Sequence, residues 1–224
     1  MDARPSIDWL LALLPWGGAE IILILALFLI LLGARKLTEL ARALSGGPGD
    51  ASQILADLMK DVVLGFAQGF GAGRIPGAPG TFGSLVGLLW FALLVATGNF
   101  WLYLTWTILG FAFSVWCCGL AEPLLNQTDP PSVVLDEIVA IPVCFLPWTA
   151  SAWIHQGTLP PPEWFFTSTN LVFTSAIFVL FRTFDIVKPW PIRQSQRLPG
   201  GWGVTVDDVL AALGVALITL PFVW

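Results

Sequence analysis

Acidic and basic residues stand beside apolar stretches of this sequence, where charged side chains are uncommon. The acids are Asp136, Glu137, Asp185, Asp207 and Asp208, and the cations nearest to them in sequence are Arg182, Lys188 and Arg193. Carboxylates at membrane depth are energetically expensive and usually functional. Carboxylate oxygens suit Mg²⁺, and Arg and Lys side chains bind phosphate oxygens. The pattern therefore predicts phosphate-transfer chemistry based on a metal ion and carboxylates, acting on a membrane-borne substrate.

A glycine-rich segment, GFGAGRIPGAPGTFGSL at 69–85, precedes one of the apolar stretches. Glycines allow backbone N–H groups to approach an oxyanion, and the start of a helix favours one. The candidate substrate-binding residues here are Arg74, Gly80, Thr81 and Ser84. A simple turn that joins two helices explains the same composition, and the segment alone does not separate the two interpretations.

The acids and cations come from three further segments, each with a structural alternative. Asp136 and Glu137 open an apolar helix in DPPSVVLDEIVA at 129–140, where acids also suit the helix dipole. In FRTFDIVKPWPIR at 181–193, Arg and Lys could simply extend toward the membrane surface. In GGWGVTVDDVLAA at 200–212, Thr205 could cap the helix, with Asp208 completing a capping box.

Composition identifies an integral membrane protein. Of the 224 residues, 56% are hydrophobic and 11% charged, and the mean hydropathy is +0.81, whereas about a quarter of the residues in a soluble domain are charged. We predict an all-α, polytopic helix bundle with about six spans and one amphipathic surface helix. The predicted spans are Ala19–Leu37, Gly83–Ala96, Phe100–Ala121, Asp136–Ala150, Trp164–Phe181 and Val206–Val223. Without a basic stripe, we expect no binding to nucleic acid.

The distribution of Lys and Arg predicts the orientation in the membrane. No Lys or Arg occurs between Ile75 and Phe181. If the first span runs from outside to inside, nine of the ten Lys and Arg residues fall on the cytoplasmic side, as the positive-inside rule requires. The same threading places all five acids on that side and the single His155 on the other. Catalysis by histidine is therefore not expected.

The chain divides into two predicted domains. We predict an N-terminal membrane anchor and linker over residues 1–50 and a catalytic membrane domain over residues 51–224. In ASQILADLMKDVVLGFAQGF, apolar residues recur at helical spacing. This pattern predicts an amphipathic helix that either lies on the membrane surface or packs against the bundle.

Taken in order, the four segments resemble the phosphatidylglycerophosphatase A family. GFGAGRIPGAPGTFGSL, VVLDEIVA, FRTFDIVKPWPI and GGWGVTVDDVLAA are similar to the family pattern almost position by position. The resemblance covers residue 64 to the end of the chain, whereas residues up to about 52 look like an addition. It implies a Mg²⁺-dependent phosphatase that removes the terminal phosphate of phosphatidylglycerophosphate in a bacterial inner membrane.

The resemblance also implies roles for individual residues. Asp136, Glu137, Asp207 and Asp208 would be metal ligands, and Asp185 a further catalytic acid. Arg182 and Lys188 would bind the phosphate, together with residues of the glycine-rich segment. The nucleophile would be water or, alternatively, an aspartate. A transporter or channel for Mg²⁺ or an anion is the alternative function, and it would distribute its acids along a path. We make no prediction of the oligomeric state.

Overall fold

The structure is a computed structural model that describes residues 48–223, and this part of the chain consists of helices and their connections, with no strand. Nine α-helices follow one another in the described residues, with short 3₁₀-helices at Gly69–Arg74 and Leu220–Phe222. They are α1 (Pro48–Ala67), α2 (Pro79–Val95), α3 (Phe100–Leu125), α4 (Leu135–Cys144), α5 (Leu146–Gln156), α6 (Pro162–Phe165), α7 (Ser168–Val187), α8 (Ile192–Ser195) and α9 (Gly201–Thr219).

Within residues 48–223, four helical segments are long and apolar enough to span a membrane, and the predicted count of about six spans is not confirmed. The four segments are Phe100–Leu125, Leu135–Gln156, Ser168–Val187 and Gly201–Phe222. The predicted first span lies outside the described residues. The second corresponds to α2, which has 17 residues and is therefore roughly 25 Å long, shorter than a bilayer core of about 30 Å. Trp164 does not begin the fifth span as predicted, because it belongs to the separate short helix α6.

The predicted amphipathic segment forms helix α1. The structure divides the chain between Asp61 and Val62, so α1 begins in one compact unit and ends in the other. In the second unit, the last turns of α1 bury Val63, Leu64 and Ala67 in a cluster with Cys117 and Cys118 of α3. This end of the helix therefore packs on the bundle, which was one of the two alternatives.

Helices α2 and α4 pack closely because α2 presents small residues at helical spacing. Its buried residues include Gly80, Gly83, Ser84 and Gly87, followed by Phe91. A Cβ atom at position 87 would lie 2.6 Å from Ile141 Cγ1 and 3.0 Å from the carbonyl oxygen of Ile138, both in α4. Small residues are a general means of bringing membrane helices together. The first turn of α2 is thereby held against the start of α4.

The candidate span Leu135–Gln156 is broken near its middle. Pro142 lies inside α4, Pro147 lies in the first turn of α5, and Phe145 separates the two helices with φ −95° and ψ 2°. Proline lacks a backbone N–H, so part of the regular hydrogen bonding is lost here. The Tyr103 hydroxyl donates to the Pro142 carbonyl at 2.5 Å. The carbonyl of Pro142, which is buried at this break, therefore accepts a hydrogen bond from a side chain of α3.

Candidate functional site

Helix termini define where the acidic residues meet. Side chains from three helices contact one another here: those in the first turns of α4, in the last turns of α7 and in the second turn of α9. The first turn of α2 lies against them. We call this the site end of the bundle. Three helices start here, and their N-terminal dipole ends favour negative charge.

Three carboxylates form the centre of the site. One oxygen each from Asp136, Glu137 and Asp208 lies within 4.8 Å of the other two, and we call these three residues the acid cluster. Asp136 and Asp208 are buried, and the Glu137 side chain is 12% exposed. Glu137 and Asp208 are 71 positions apart in the chain, so the packing of α4 against α9 creates the cluster.

The acid cluster contains oxygens whose hydrogen bonding is incomplete. Among the described residues, Asp136 Oδ1, Glu137 Oε2 and Asp208 Oδ2 are buried without a hydrogen-bond partner. Buried polar atoms are normally paired, and neighbouring carboxylates repel one another. Several carboxylates close together are the oxygen donors that Mg²⁺ accepts. The acid cluster is therefore a suitable place for a divalent cation.

Arg182 connects the acid cluster to α2. Its Nη1 donates to Asp185 Oδ2 at 2.5 Å and to Ser84 Oγ at 3.3 Å, and it lies 3.8 Å from Glu137 Oε1. Ser84 in turn donates to the Gly80 carbonyl at 2.8 Å. The Arg182 Nε atom is buried and has no acceptor among the described residues. Arg182 therefore keeps an unused donor beside the acid cluster.

Lys188 approaches the same region from the end of α7. Its Nζ donates to Asp207 Oδ2 at 2.6 Å and lies 3.8 Å from Asp185 Oδ1. Burial lowers the pKa of Lys188, but the hydrogen bond and charge of Asp207, with smaller contributions from Asp208 and Asp185, outweigh burial and raise the pKa above its ordinary value. The contacts of Lys188 with Asp207 and Asp185 therefore favour its cationic form.

Gly80 is required by the close approach of α2 to two charged side chains. A Cβ atom here would overlap Glu137 Oε1 and would lie 2.8 Å from Arg182 Nη2. Any other residue would displace one of these groups. The glycine-rich segment thus contributes to the site through the absence of a side chain at position 80.

Two predicted substrate-binding residues stand apart from the acids. Arg74 is exposed, and its Nε donates to Gln68 Oε1 at 2.6 Å, while Gln68 Nε2 donates to Ser132 Oγ at 3.1 Å. Thr81 is half-buried in the first turn of α2, and its backbone N–H donates to the Ala78 carbonyl. Within residues 48–223, neither side chain forms a hydrogen bond or ion pair with an acid of the site.

The structural alternative, in which Thr205 caps the helix and Asp208 completes a capping box, does not apply. Helix α9 begins at Gly201, four residues before Thr205, so both side chains lie beyond the first turn. Thr205 Oγ1 instead lies 3.0 Å from Ser114 Oγ of α3, and Ser114 lies 3.6 Å from Cys118 Sγ. No feature of the sequence indicated this buried polar group, because isolated Ser and Thr residues in apolar helices carry no distinctive signal.

Sequence comparison relates the two parts of the chain to two families. The model of the family described as phosphatidylglycerophosphatase A matches residues 65–223. The model described as the mttA/Hcf106 family matches residues 16–63. The first match contains every residue of the acid cluster together with Arg182 and Lys188.

Three relatives are similar to about two thirds of this chain. Phosphatidylglycerophosphatase A of Haemophilus influenzae is 33% identical over 153 residues, which is 68% of this chain and 83% of the relative. Its namesake from Escherichia coli is 32% identical over 149 residues, covering 66% of this chain and 75% of the relative. A putative phosphatidylinositol-3-phosphatase of Bacteroides thetaiotaomicron is 35% identical over 150 residues, covering 65% and 83%. No solved structure gives a significant match.

Proposed function

This chain belongs to the phosphatidylglycerophosphatase A family, and from that premise we propose that it hydrolyses the terminal phosphomonoester of phosphatidylglycerophosphate in a Mg²⁺-dependent reaction. It is a phosphatase, as the relatives of that name indicate. The observation that supports a metal-dependent reaction best is the buried acid cluster, with its three unpartnered oxygens beside two cationic side chains.

The residues that would hold Mg²⁺ are Asp136, Glu137 and Asp208. Their oxygens are the ligand type that Mg²⁺ prefers, and a site with few protein ligands leaves positions for water and phosphate. When bound, the ion would supply positive charge that polarises the phosphomonoester. The fit is supported by the packing of three acids around one point, since their mutual repulsion is relieved by a cation.

The cationic side chains would bind the phosphate. Arg182, whose Nε has no acceptor among the described residues, and Lys188 both contact Asp185. They would neutralise charge that develops on the phosphate oxygens in the transition state. Water, assisted by a carboxylate as general base, attacks phosphorus. The bond from phosphorus to the glycerol oxygen breaks, and inorganic phosphate and phosphatidylglycerol leave.

We place the enzyme in a bacterial inner membrane with the site end facing the cytoplasm. The candidate spans support a membrane location, and the relatives are bacterial. The positive-inside distribution of Lys and Arg supports this orientation. A transporter is not favoured, because the buried acids of α4, α7 and α9 gather at one end of the bundle instead of being distributed along a path.

Phosphatidylinositol 3-phosphate is a second candidate substrate. The relative from Bacteroides thetaiotaomicron carries the name of a phosphatase for that lipid, and its identity to this chain is similar to that of the other relatives. Both lipids present a phosphomonoester on a diacylglycerol scaffold, so the acid cluster and the two cations would serve either. The headgroup is the part of the substrate that distinguishes them.

The test is phosphate release by the full chain purified in detergent. We expect release from phosphatidylglycerophosphate in Mg²⁺ and none in EDTA, with a lower kcat/KM for phosphatidylinositol 3-phosphate. Asp208→Asn and Asp136→Asn should reduce turnover by on the order of a hundredfold or more, since metal-assisted hydrolysis depends on the ion. The exposed Glu163→Gln in α6 is the matched acid-to-amide control.

Three results would contradict this proposal: full activity in EDTA, wild-type activity of Asp208→Asn, or a higher kcat/KM for phosphatidylinositol 3-phosphate. The last result would retain the chemistry and change the substrate.

A further inference from the structure

The five acids at the site end do not have the same partners. Asp136, Glu137 and Asp208 form the acid cluster, whereas Asp207 Oδ2 accepts a hydrogen bond from Lys188 Nζ at 2.6 Å. Asp207 and Asp208 are neighbours on α9, and adjacent side chains on a helix point about 100° apart. The helix therefore directs one carboxylate to the acid cluster and the other to the cation.

We propose that Asp207 is a positioning residue that holds the Lys188 ammonium at the edge of the acid cluster for the substrate phosphate, and is not a ligand of the metal ion. This inference rests on the proposed function, and it assigns different roles to two acids that are adjacent in the sequence. The alternative is that Asp207 is a fourth ligand, using its buried Oδ1, which has no hydrogen-bond partner among the described residues.

The backbone at Lys188 supports a role for its side chain. Lys188 ends α7 in the left-handed conformation, with φ 45° and ψ 61°, and its N–H donates to the Phe184 carbonyl at 2.8 Å. Glycine is the usual residue at such a helix end, and the left-handed conformation is unfavourable for a residue with a Cβ atom. The backbone conformation therefore disfavours a lysine at this position. We attribute the presence of lysine to the contact of its side chain with Asp207.

The geometry leaves part of the ammonium available. Lys has three N–H donors. One is taken by Asp207, and Asp185 Oδ1 lies at 3.8 Å, beyond hydrogen-bond distance. The Lys188 side chain is 24% exposed while Asp207 is 3% exposed. Asp207 is therefore a buried anchor, and Lys188 is the member of the pair that a phosphate can reach.

Asp185 contacts both of the cations. Its Oδ2 accepts from Arg182 and its Oδ1 faces Lys188, so one carboxylate separates the two cations and screens their repulsion. Arg182 and Lys188 thus reach the acid cluster from α7 at fixed positions. Such preorganised charge is most effective when it does not have to reorganise during the reaction.

A double-mutant cycle combined with direct metal binding tests the assignment. The variants are Lys188→Ala, Asp207→Asn and the double variant, in the full chain in detergent, and kcat/KM is measured for phosphatidylglycerophosphate. We expect Lys188→Ala and Asp207→Asn each to lower kcat/KM roughly tenfold or more, where tenfold corresponds to about 1.4 kcal/mol. If Asp207 acts through Lys188, Asp207→Asn should cause no additional loss in the Lys188→Ala background.

Metal affinity is measured without turnover, by titration with Mn²⁺ and electron paramagnetic resonance of the free ion. Asp207→Asn should keep the wild-type Kd for Mn²⁺ within about twofold, and Asp208→Asn should weaken it by about tenfold or more, since each tenfold change is 1.4 kcal/mol of binding energy. Asp207→Glu, which retains the charge, should recover part of the activity lost in Asp207→Asn. The thermal midpoint of each variant reports whether it is folded.

The outcomes separate this inference from the proposed function. A tenfold weaker Mn²⁺ affinity in Asp207→Asn would make Asp207 a ligand and overturn the assignment. A further tenfold loss on adding Asp207→Asn to Lys188→Ala would do the same. If the wild-type chain itself neither binds Mn²⁺ nor releases phosphate, the proposed function fails instead.

Discussion

At the scale of single residues, the site depends on close contacts between the start of α2 and two charged side chains. Gly80 allows Glu137 and Arg182 to lie against the start of α2. Ser84, one turn later, accepts from Arg182 and donates to the Gly80 carbonyl. The glycine-rich segment therefore shapes the edge of the site, a role that neither the oxyanion-binding interpretation nor the simple turn described.

Gly80→Ala should reduce activity more than stability. The added methyl group would meet Arg182 Nη2 at 2.8 Å and displace a group that we assign to phosphate binding. A displacement of about 1 Å can cost about a hundredfold in rate, so we expect kcat/KM to fall at least tenfold. The measurement is phosphate release together with the thermal midpoint.

Gly65→Ala in α1 is the control for this variant, because a Cβ atom there has no heavy atom within 4 Å. Wild-type kcat/KM for Gly80→Ala would show that Glu137 and Arg182 can move without consequence, against the geometry described above.

At the scale of the helices, small residues and proline breaks set the positions of the termini. Gly83 and Gly87 bring α2 against α4, and Pro142 and Pro147 divide one candidate span into α4 and α5. These features determine how far each terminus extends toward the acid cluster. The packing of α2 against α4 should therefore affect both the stability of the bundle and the geometry of the site.

Gly87→Ala should destabilise the bundle. A Cβ atom at this position lies 2.6 Å from Ile141 Cγ1 and 3.0 Å from the Ile138 carbonyl oxygen, so the two helices must separate. Overpacking of this kind typically costs about 1–3 kcal/mol. We expect a lower thermal midpoint than wild type in the same detergent, while Gly65→Ala stays at or above the wild-type midpoint, because alanine favours a helix over glycine by roughly 0.5–1 kcal/mol.

An unchanged midpoint in Gly87→Ala would mean that the contact between α2 and α4 is not tightly packed. The close approach would then have to be explained without the small residues.

At the scale of the whole molecule, two kinds of comparison divide the chain at nearly the same place. The family match to mttA/Hcf106 ends at residue 63, and the match to phosphatidylglycerophosphatase A begins at residue 65. The structure separates its two compact units between Asp61 and Val62. All the residues of the proposed site lie in the second unit. The predicted boundary at residue 50 remains a prediction.

The orientation of the protein in the membrane is a property of the whole molecule, and it can be tested with single cysteines. Gln196, after α8, and Gln156, at the end of α5, are both exposed. In a background without Cys117, Cys118 and Cys144, Gln196→Cys should be protected from a membrane-impermeant thiol reagent in intact cells and labelled in inverted vesicles. Gln156→Cys should show the reverse, because the positive-inside rule places the site end in the cytoplasm.

Ready labelling of Gln196→Cys in intact cells would mean that the assumed threading is wrong by at least one span. The proposed cytoplasmic location of the site would then be wrong as well.

The sequence by itself determined the membrane character, the helical class and the candidate residues. Apolar length and low charge content require helices that satisfy their own backbone hydrogen bonds in a bilayer. Buried acids are expensive enough that their presence indicates a site. Arg182, Asp185 and Lys188 follow one another at intervals of three residues, a spacing that brings side chains together on a helix, and they form ion pairs. The family resemblance was also readable from local segments.

Only the tertiary structure decided how these residues divide their roles. That Asp208 joins Asp136 and Glu137 while Asp207 binds Lys188 depends on how α9 is rotated against α4 and α7, and that rotation results from packing over the whole interface. The predicted span began at Val206, whereas α9 begins at Gly201, which packs closely against Val115 and Gly119 of α3. Side-chain direction at a helix terminus is thus a property of the assembled bundle.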